Sequence, residues 1–255
     1  PTCTTTYTVG SAGGANYTTS CSGAVASNYR ITYIAGAVGV SKPTLTVTAS
    51  SHTVTYGAAT PTVTYAISGF TNGESASALS TLPTCTTTYT NTSTANISVA
   101  TTCSGAAATN YFFSYVSGSI TVNKAVLTVS ADSFDITYGD AKPTTTYGLS
   151  GWVNGQSAGT VTISNLSCSL NYTRYTSAVG TYAITCSGAS ATNYSFSYTD
   201  GTLTVAKAAA VISASTHNLA YGAAIPTITF TTSGLLNGQN STAFSTQPTC
   251  STVYT

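Results

Sequence analysis

The chain has 255 residues and a net charge of +1, and only 4% of its residues are charged, whereas about 25% are charged in an ordinary soluble domain. A chain so nearly neutral has no electrostatic attraction for nucleic acid or for an anionic membrane surface, so we exclude both as partners. No apolar run is long enough to cross a bilayer as a helix, so membrane insertion is not expected.

The sequence repeats itself with a period of about 82 residues, and a fixed period of this kind indicates a tandem array of units that share one fold. A Pro-Thr-Cys triplet and a Tyr-Gly pair mark the period most clearly. The triplet starts at Pro1, Pro83 and Pro248, and the pair starts at Tyr56, Tyr138 and Tyr221. We therefore predict the back half of a repeat at 1–43, complete repeats at 44–125 and 126–208, and the front half of a repeat at 209–255.

Within each repeat, apolar residues alternate with Thr or Ser, which is typical of β-strands with one buried face. In the first complete repeat the alternation begins at Leu45, Val47 and Ala49. It resumes over 54–56, immediately before the Gly of a Tyr-Gly-x-x-x-Pro turn, and again over 63–67 after that turn.

The second part of the repeat continues the pattern. An Asn-Gly turn is predicted at Asn72, because Asn-Gly accepts the positive φ values of a tight turn. A short helix is one option for 75–81, and strands are expected over 85–89, 97–101 and 119–122. Several short strands divided by turns predict an all-β unit, either an immunoglobulin-like sandwich or a β-grasp-like sheet.

Neighbouring repeats follow each other without a flexible linker. The closing strand that ends at Val122 continues through Asn-Lys-Ala into the strand that starts at Val126. The lack of a Gly/Ser-rich or Pro-rich segment predicts repeats stacked end to end as a semi-rigid rod. Because the chain has no Met and no signal peptide, we interpret it as a processed or partial product. Residues 1–8 and 248–255 are copies of one strand, and this overlap favours a window of a longer periodic polypeptide.

Six of the seven cysteines form three pairs, and each pair has a spacing of 18 residues within one repeat. The period therefore predicts three local disulfides that each join two strand-like segments. Zinc is disfavoured, since no Cys-x-x-Cys motif occurs and the histidines lie elsewhere. Disulfides indicate an oxidising, extracellular environment. The predicted bonds are Cys3–Cys21, Cys85–Cys103 and Cys168–Cys186, and Cys250 is left unpaired within the chain.

A set of short motifs recurs in the same order in each repeat. A Leu-Thr-Val-Thr-Ala strand from Leu45 is followed by the Tyr-Gly pair and by Ser-Gly-Phe-x-Asn-Gly over 68–73. The second complete repeat ends with Asn-Tyr at 193–194 and Gly-Thr-Leu-Thr-Val over 201–205, followed by Ala-Lys-Ala. This combination resembles the MBG domain of the Tyr-Gly-x type, which is found in tandem in large bacterial surface adhesins and secreted repeat proteins.

The resemblance covers the whole chain. It implies a compact, mostly-β extracellular module that is used as a stalk, and it transfers no catalytic residues. The paired cysteines and the very low charge depart from the usual pattern of the family.

The ionisable side chains do not form a catalytic pattern. His52 and His217 occupy equivalent positions, where the middle repeat has Phe134. A position that takes His or Phe packs a ring, so we interpret both histidines as structural. Glu74 corresponds to Gln156, which argues against a general acid or base. No nucleophile elbow, phosphate-binding loop or paired-carboxylate site occurs. We expect no enzyme activity and no cofactor.

Three aspartates of the second complete repeat are the best candidates for a metal site. Asp132, Asp135 and Asp140 have the oxygen ligands that calcium takes, but the first complete repeat has no carboxylate at the equivalent positions. A solvated turn is the preferred interpretation, so no metal is predicted.

Aromatic residues also recur with the period. Trp152 stands where the first complete repeat has Phe70, and a role in the core or as the lid of a hairpin is favoured over stacking on a sugar. Tyr29, Tyr111 and Tyr194 each follow Asn, and we predict that they are core side chains with a partner for the hydroxyl group.

A surface with few charges needs another source of solubility, and attached glycans are one. The sequence permits N-linked glycosylation at several Asn-x-Ser/Thr triplets. Asn91 and Asn96 are the best exposed candidates, because they lie in the loop between paired cysteines. The candidate sites are Asn16, Asn91, Asn96, Asn165, Asn171 and Asn240.

Repetition without a unique site favours a structural function. We predict a non-catalytic stalk or fibre segment of an extracellular bacterial filament or adhesin, with self-association end to end and laterally. Two alternatives stay open: an array that binds carbohydrate or a cell surface through many weak contacts, and a polymerising subunit whose half-repeats are completed by neighbouring chains.

Overall fold

The structure is a computed structural model and describes residues 1–253. The chain forms two compact units, Pro1–Ala125 and Val126–Thr255. Each unit contains one complete repeat and one half-repeat, so equivalent segments of a complete and a half-repeat can be compared within each unit.

The back half-repeat at 1–43 forms a three-stranded antiparallel sheet in chain order. Its longest strand alternates exposed and half-buried residues, as the period-two sequence pattern predicts. Its strands are β1 (Thr2–Thr5), β2 (Asn16–Ser22) and β3 (Gly36–Gly39).

The first complete repeat has seven strands in two sheets. They are β4 (Thr44–Ala49), β5 (His52–Thr55), β6 (Tyr65–Ser68), β7 (Thr84–Thr87), β8 (Ser98–Ser104), β9 (Phe112–Val116) and β10 (Gly118–Asn123). One sheet has the order β6-β4-β9 and the other the order β5-β10-β8-β7. Side chains from both sheets share one core, since Val47 and Ala49 of β4 pack with Cys103 of β8. The repeat is therefore a small sandwich.

The two halves of this repeat are interleaved. The front half supplies β4, β5 and β6, and the back half supplies β7 to β10. Each sheet contains strands from both halves, and they meet in two parallel pairs, β4 with β9 and β5 with β10. The other pairs are antiparallel. Neither sheet can be completed by one half alone.

The second complete repeat has the same architecture, with the orders β13-β11-β16 and β12-β17-β15-β14. Its strands are β11 (Ala125–Ala131), β12 (Phe134–Thr137), β13 (Tyr147–Ser150), β14 (Ser167–Leu170), β15 (Gly180–Ser187), β16 (Tyr194–Thr199) and β17 (Gly201–Ala206). The predicted all-β tandem fold is confirmed.

The core of each sandwich is made by the predicted alternation. Leu45, Val47 and Ala49 of β4 are buried while Thr44 and Thr48 are exposed. In the second complete repeat, Leu203 and Val205 pack with residues of β14 and β15. A one-residue slip in register would place these apolar side chains in water, so the pattern fixes the pairing.

The front half-repeat, as far as residue 253, forms a two-stranded antiparallel sheet of β18 (Val211–Ala214) and β19 (Phe230–Ser233). A 3₁₀ turn follows at Ser241–Ala243. The short helix considered for 75–81 is likewise only a 3₁₀ turn, Ala76–Ala78, because this segment has no apolar face to bury.

Candidate functional site

The three cysteine pairs form disulfides at equivalent positions of the repeat. Cys85 at the start of β7 lies directly opposite Cys103 near the end of β8. In each bond the two Cα atoms are 4.0 Å apart and the sequence separation is 18. Cys103 is buried in the core beside Val47, so the bond belongs to the packed interior and also closes the loop at its base. Cys250 is a half-buried free thiol.

A buried tyrosine joins the two halves of the first complete repeat. The hydroxyl group of Tyr111, in the back half, accepts the backbone N–H of Thr71 at 3.2 Å and donates to Glu74 Oε2 at 2.5 Å, both in the front half. Its ring meets Phe70 edge to face at 5.9 Å. One side chain therefore holds the whole Asn-Gly turn against the back half, and we name this contact the tyrosine clamp.

The second complete repeat has the same clamp with different partners. Tyr194 accepts the N–H of Val153 at 3.3 Å and donates to Gln156 Oε1 at 2.5 Å. Trp152 packs edge to face on its ring at 5.5 Å. The Glu or Gln position needs only an acceptor oxygen, which explains why both residues occur there. Trp152 is half-buried against Tyr194, which agrees with the predicted role in the core or as a hairpin lid.

Tyr29 corrects the sequence interpretation. It follows Asn as the other two clamp tyrosines do, but it is 80% exposed rather than a core side chain. The back half-repeat at 1–43 contains no counterpart of the segment from Phe70 to Glu74, so the ring and the hydroxyl group of Tyr29 have no clamp partner to contact.

A second repeated tyrosine binds the Tyr-Gly turn. Tyr89 donates its hydroxyl to the carbonyl of Ala58 at 2.8 Å, and Tyr172 donates to the carbonyl of Asp140 at 3.0 Å. Burial raises the pKa of Tyr89 above its usual value. Burial, and then the negative charge of Asp140, raise the pKa of Tyr172. Both groups are therefore held in the neutral, donating form.

The histidines lie where the repeat pattern predicts. Nε2 of His52 is 2.9 Å from the hydroxyl of Ser50, and His217 makes the same contact with Ser215. Phe134, at the equivalent position, packs on the core of the second complete repeat. In the two complete repeats this position places a ring at the start of β5 and β12, whereas His217 lies outside a strand.

The three aspartates serve turns and edges of the second complete repeat. Asp140 accepts the backbone N–H of Thr137 at 2.7 Å, and Asp132 accepts the hydroxyl of Thr146 at 2.5 Å. Among residues 1–253, no group of three or more His, Cys, Asp or Glu side chains is placed to hold a metal ion.

The candidate glycosylation sites are all exposed. Asn96 and Asn165 have φ values of 63° and 61° in tight turns. Asn240 uses its side-chain oxygen to accept the N–H of Thr242 and so begins a 3₁₀ turn. The structure leaves the side chains accessible, and modification stays a prediction.

In the first complete repeat, the outer face of the four-stranded sheet is polar but uncharged on β7 and β8. The exposed positions of these two strands carry only Thr, Ser and Ala, with Thr86 opposite Thr102 and Thr84 opposite Ser104. Such a face offers hydroxyl groups to a partner without any electrostatic selection.

Helices of the described residues are too short to span a membrane. The MBG domain family, YGX type, matches residues 45–121 and 127–204, which together cover more than half of the chain. The chain therefore belongs to the MBG domain family and carries it as tandem repeats. This family and intrachain disulfides are both typical of extracellular proteins. No curated protein shows significant similarity to the chain.

The tyrosine clamp was missed as a unit by the sequence interpretation, although its tyrosine was predicted to be buried. The signal was present in the spacing: each Asn-Gly turn is followed directly by Glu or Gln, as in Glu74 and Gln156. A position restricted to these two side chains, at a fixed distance from a repeated Asn-Tyr, indicates a shared hydrogen-bond acceptor.

Proposed function

We propose that the chain is a structural stalk segment of an extracellular fibre or adhesin, built from non-catalytic repeats that stack end to end. The observation that carries the proposal is the repetition of complete packing units. Both complete repeats have the same two sheets, the same buried disulfide and the same tyrosine clamp. What recurs is the means of holding each module together, which favours a spacer function.

The extracellular location rests on the disulfides. Intramolecular disulfides persist in oxidising compartments and are rare in the cytosol. Native material collected under thiol-blocking conditions is expected to have Cys3, Cys21, Cys85, Cys103, Cys168 and Cys186 oxidised. Full labelling of all seven cysteines in native material would overturn the location.

The end-to-end arrangement can be tested by small-angle X-ray scattering on the whole chain. A stalk requires a radius of gyration well above the roughly 18 Å expected for one compact domain of this length. A value near 18 Å would show that the repeats fold back on one another, and the spacer function would then be untenable.

A second candidate is a subunit that is completed by a neighbouring chain. What supports it, among residues 1–253, is that Tyr29 is an exposed clamp tyrosine with no turn against it, and that the turn residues Asn237 to Gln239 are exposed with no clamp tyrosine against them. Cys3 is already paired with Cys21, so β1 occupies the position next to β2. Residues 248–255 repeat the sequence of 1–8, and only the residues before 248 would therefore need to dock on the neighbouring chain.

Sedimentation over a wide range of protein concentration tests the second candidate. Association that is lost in Tyr29→Ala but retained in Tyr7→Ala would support completion between chains. A monomer at every concentration, or association that is indifferent to Tyr29, would reject it while leaving the stalk proposal intact.

A further inference from the structure

Two side-chain hydrogen bonds join the Tyr-Gly turn of the second complete repeat to residues 174–175. Tyr138 donates its hydroxyl to the carbonyl of Tyr175 at 2.8 Å, and Arg174 donates Nε–H to the carbonyl of Gly139 at 2.5 Å. Gly139 is buried and has a φ of 95°. The turn is therefore a fixed surface, held by the loop between the paired cysteines of its own repeat.

The front face of this turn contacts the half-repeat that follows. A Cβ atom placed on Gly139 would overlap Cδ1 of Leu236, which belongs to the next Asn-Gly turn. The terminal methyl group of Leu236 thus occupies the space that a Cβ atom on residue 139 would need, and alanine there would require this side chain to move. Beside the contact lies a cleft of about 490 Å³, lined by Tyr138, Lys207 and Phe244 among others.

In the N-terminal unit, the loop between the paired cysteines of the half-repeat also contacts the complete repeat, although residues 1–43 contain no Tyr-Gly turn. The backbone N–H of Gly13, in the loop between Cys3 and Cys21, donates to Asn110 Oδ1 at 3.1 Å. Tyr7 and Val9 of that loop line a smaller cleft with Thr71 and Asn72 of the next Asn-Gly turn. In both units, the loop between the cysteines of one repeat faces the Asn-Gly turn of the next.

We infer that the Tyr-Gly turn at Tyr138 is a receptor for the Asn-Gly turn at Asn237 of the same unit, with Gly139 left bare so that the aliphatic side chain of Leu236 can seat on it. The partner that fits this surface is an aliphatic residue held at the tip of a tight turn. Seating it would fix the angle between the second complete repeat and the half-repeat that follows it in the same unit.

The alternative is that Gly139 is required only for its positive φ, since L side chains are strained there. The chain contains a matched control. Gly222 is the glycine of the next Tyr-Gly turn, with a φ of 83°, and a Cβ atom on it would meet nothing within 4 Å. Alanine at either position carries a similar backbone strain, but only alanine at 139 collides with Leu236.

The geometry between the second complete repeat and the half-repeat after it can be measured with two residues already present in the chain, one on each side of the contact. Trp152 is the only tryptophan, and Cys250 is the free cysteine and accepts a dye. Energy transfer from Trp152 to a dye on Cys250 reports the geometry between the second complete repeat and the half-repeat after it.

In Gly139→Ala, the transfer efficiency is expected to shift because Leu236 is pushed off the turn, whereas Gly222→Ala keeps the wild-type value. Adding Leu236→Ala to Gly139→Ala should give the value of Leu236→Ala alone, because the collision has been removed. Equal shifts in the two glycine variants would overturn the receptor role and leave only the φ requirement.

If Gly139→Ala does not fold, Leu236→Ala provides the test without backbone strain. It is expected to shift the transfer efficiency, while Leu219→Ala, an exposed leucine of the same half-repeat, is not. An unchanged efficiency in Leu236→Ala would show that this side chain does not set the geometry between the second complete repeat and the half-repeat after it, and the inference would fail.

Discussion

The complete repeats and the half-repeats carry the same motifs, but equivalent segments differ in structure. Phe112–Val116 is strand β9 in the first complete repeat, where it pairs with β4. The equivalent segment at 30–34 is not a strand, because its half-repeat contains no counterpart of β4. The same holds for 217–220, which corresponds to β5 and lacks the partner that β10 provides.

The exposure of equivalent tyrosine side chains also differs between complete repeats and half-repeats. Tyr111 and Tyr194 are 4% and 1% exposed, whereas Tyr29 is 80% exposed. Tyr56 is buried at the Tyr-Gly turn of the first complete repeat, and Tyr221 at the equivalent position is fully exposed. A strand-forming sequence thus becomes a buried strand only when both parallel pairs are present, so the folding unit is the interleaved repeat and not either half.

Trp152 fluorescence reports unfolding of the second complete repeat, and the largest change is expected from its disulfide. Replacing Cys168 and Cys186 with Ala should lower the free energy of unfolding by about 3 kcal/mol, because the unfolded chain loses a closed loop. The matched pair in the half-repeat, Cys3 and Cys21, should leave this urea transition within about 0.5 kcal/mol. A transition that does not respond to either pair would contradict the stabilising role.

Truncating a strand side chain to Ala should lower stability more in a complete repeat than in a half-repeat. Val129→Ala is expected to cost about 2 kcal/mol, because Val129 is fully buried between two sheets. Ile212→Ala, at the equivalent position, removes a larger side chain that is 45% exposed and should cost less than about 1 kcal/mol. If the larger deletion had the larger effect on urea unfolding, the half-repeat would have a core of its own.

The tyrosine clamp predicts a smaller difference in the free energy of unfolding between a complete repeat and a half-repeat. Tyr194→Phe removes the acceptor of the Val153 N–H and the donor to Gln156 and should cost about 1–2 kcal/mol. Tyr29→Phe should have no measurable effect on unfolding. Gln156→Glu should be tolerated, because Glu74 holds the same place in the first complete repeat; a loss as large as that of Tyr194→Phe would contradict the shared-acceptor role.

The smallest effect concerns pH. In the folded repeat, burial and Asp140 raise the pKa of Tyr172 above its usual value of 10.0. As pH rises past 10.0 the unfolded chain loses this proton first, so the contribution to stability is complete below pH 10.0 and is lost as pH rises through the folded-state pKa. In Tyr172→Phe, the free energy of unfolding followed by Trp152 fluorescence should decline less steeply above pH 10.0. A decline identical to that of the wild type would show that another group causes it.

Much of the fold was predictable because it depends on local chemistry. The alternation through Leu45, Val47 and Ala49 predicted the buried strand, and the equal spacing of the cysteines predicted bonds that the structure contains. The Asn-Gly turns have the expected positive φ, as at Asn72 with 54°. The order of the strands was not predictable, since parallel pairing of β4 with β9 joins segments far apart in sequence and leaves no local signal.

The candidate site was predictable only in part for the same reason. The pattern indicated a buried tyrosine after Asn, but its partners at Thr71 and Glu74 lie on the other half of the repeat. Exposure of Tyr29 could not be deduced from its motif, because burial depends on a segment that must be brought to it by the rest of the fold.

The strand order has a mechanical consequence. The first and last strands of a complete repeat are both interior strands, with β4 between β6 and β9 and β10 between β5 and β8. Tension applied at the two ends of the repeat would therefore load many backbone hydrogen bonds on both sides of each strand together, since no terminal strand lies at an edge from which it could peel. Once such a repeat yields, the bond between Cys85 and Cys103 keeps the intervening loop from extending, so each failure would release only part of the length of the chain.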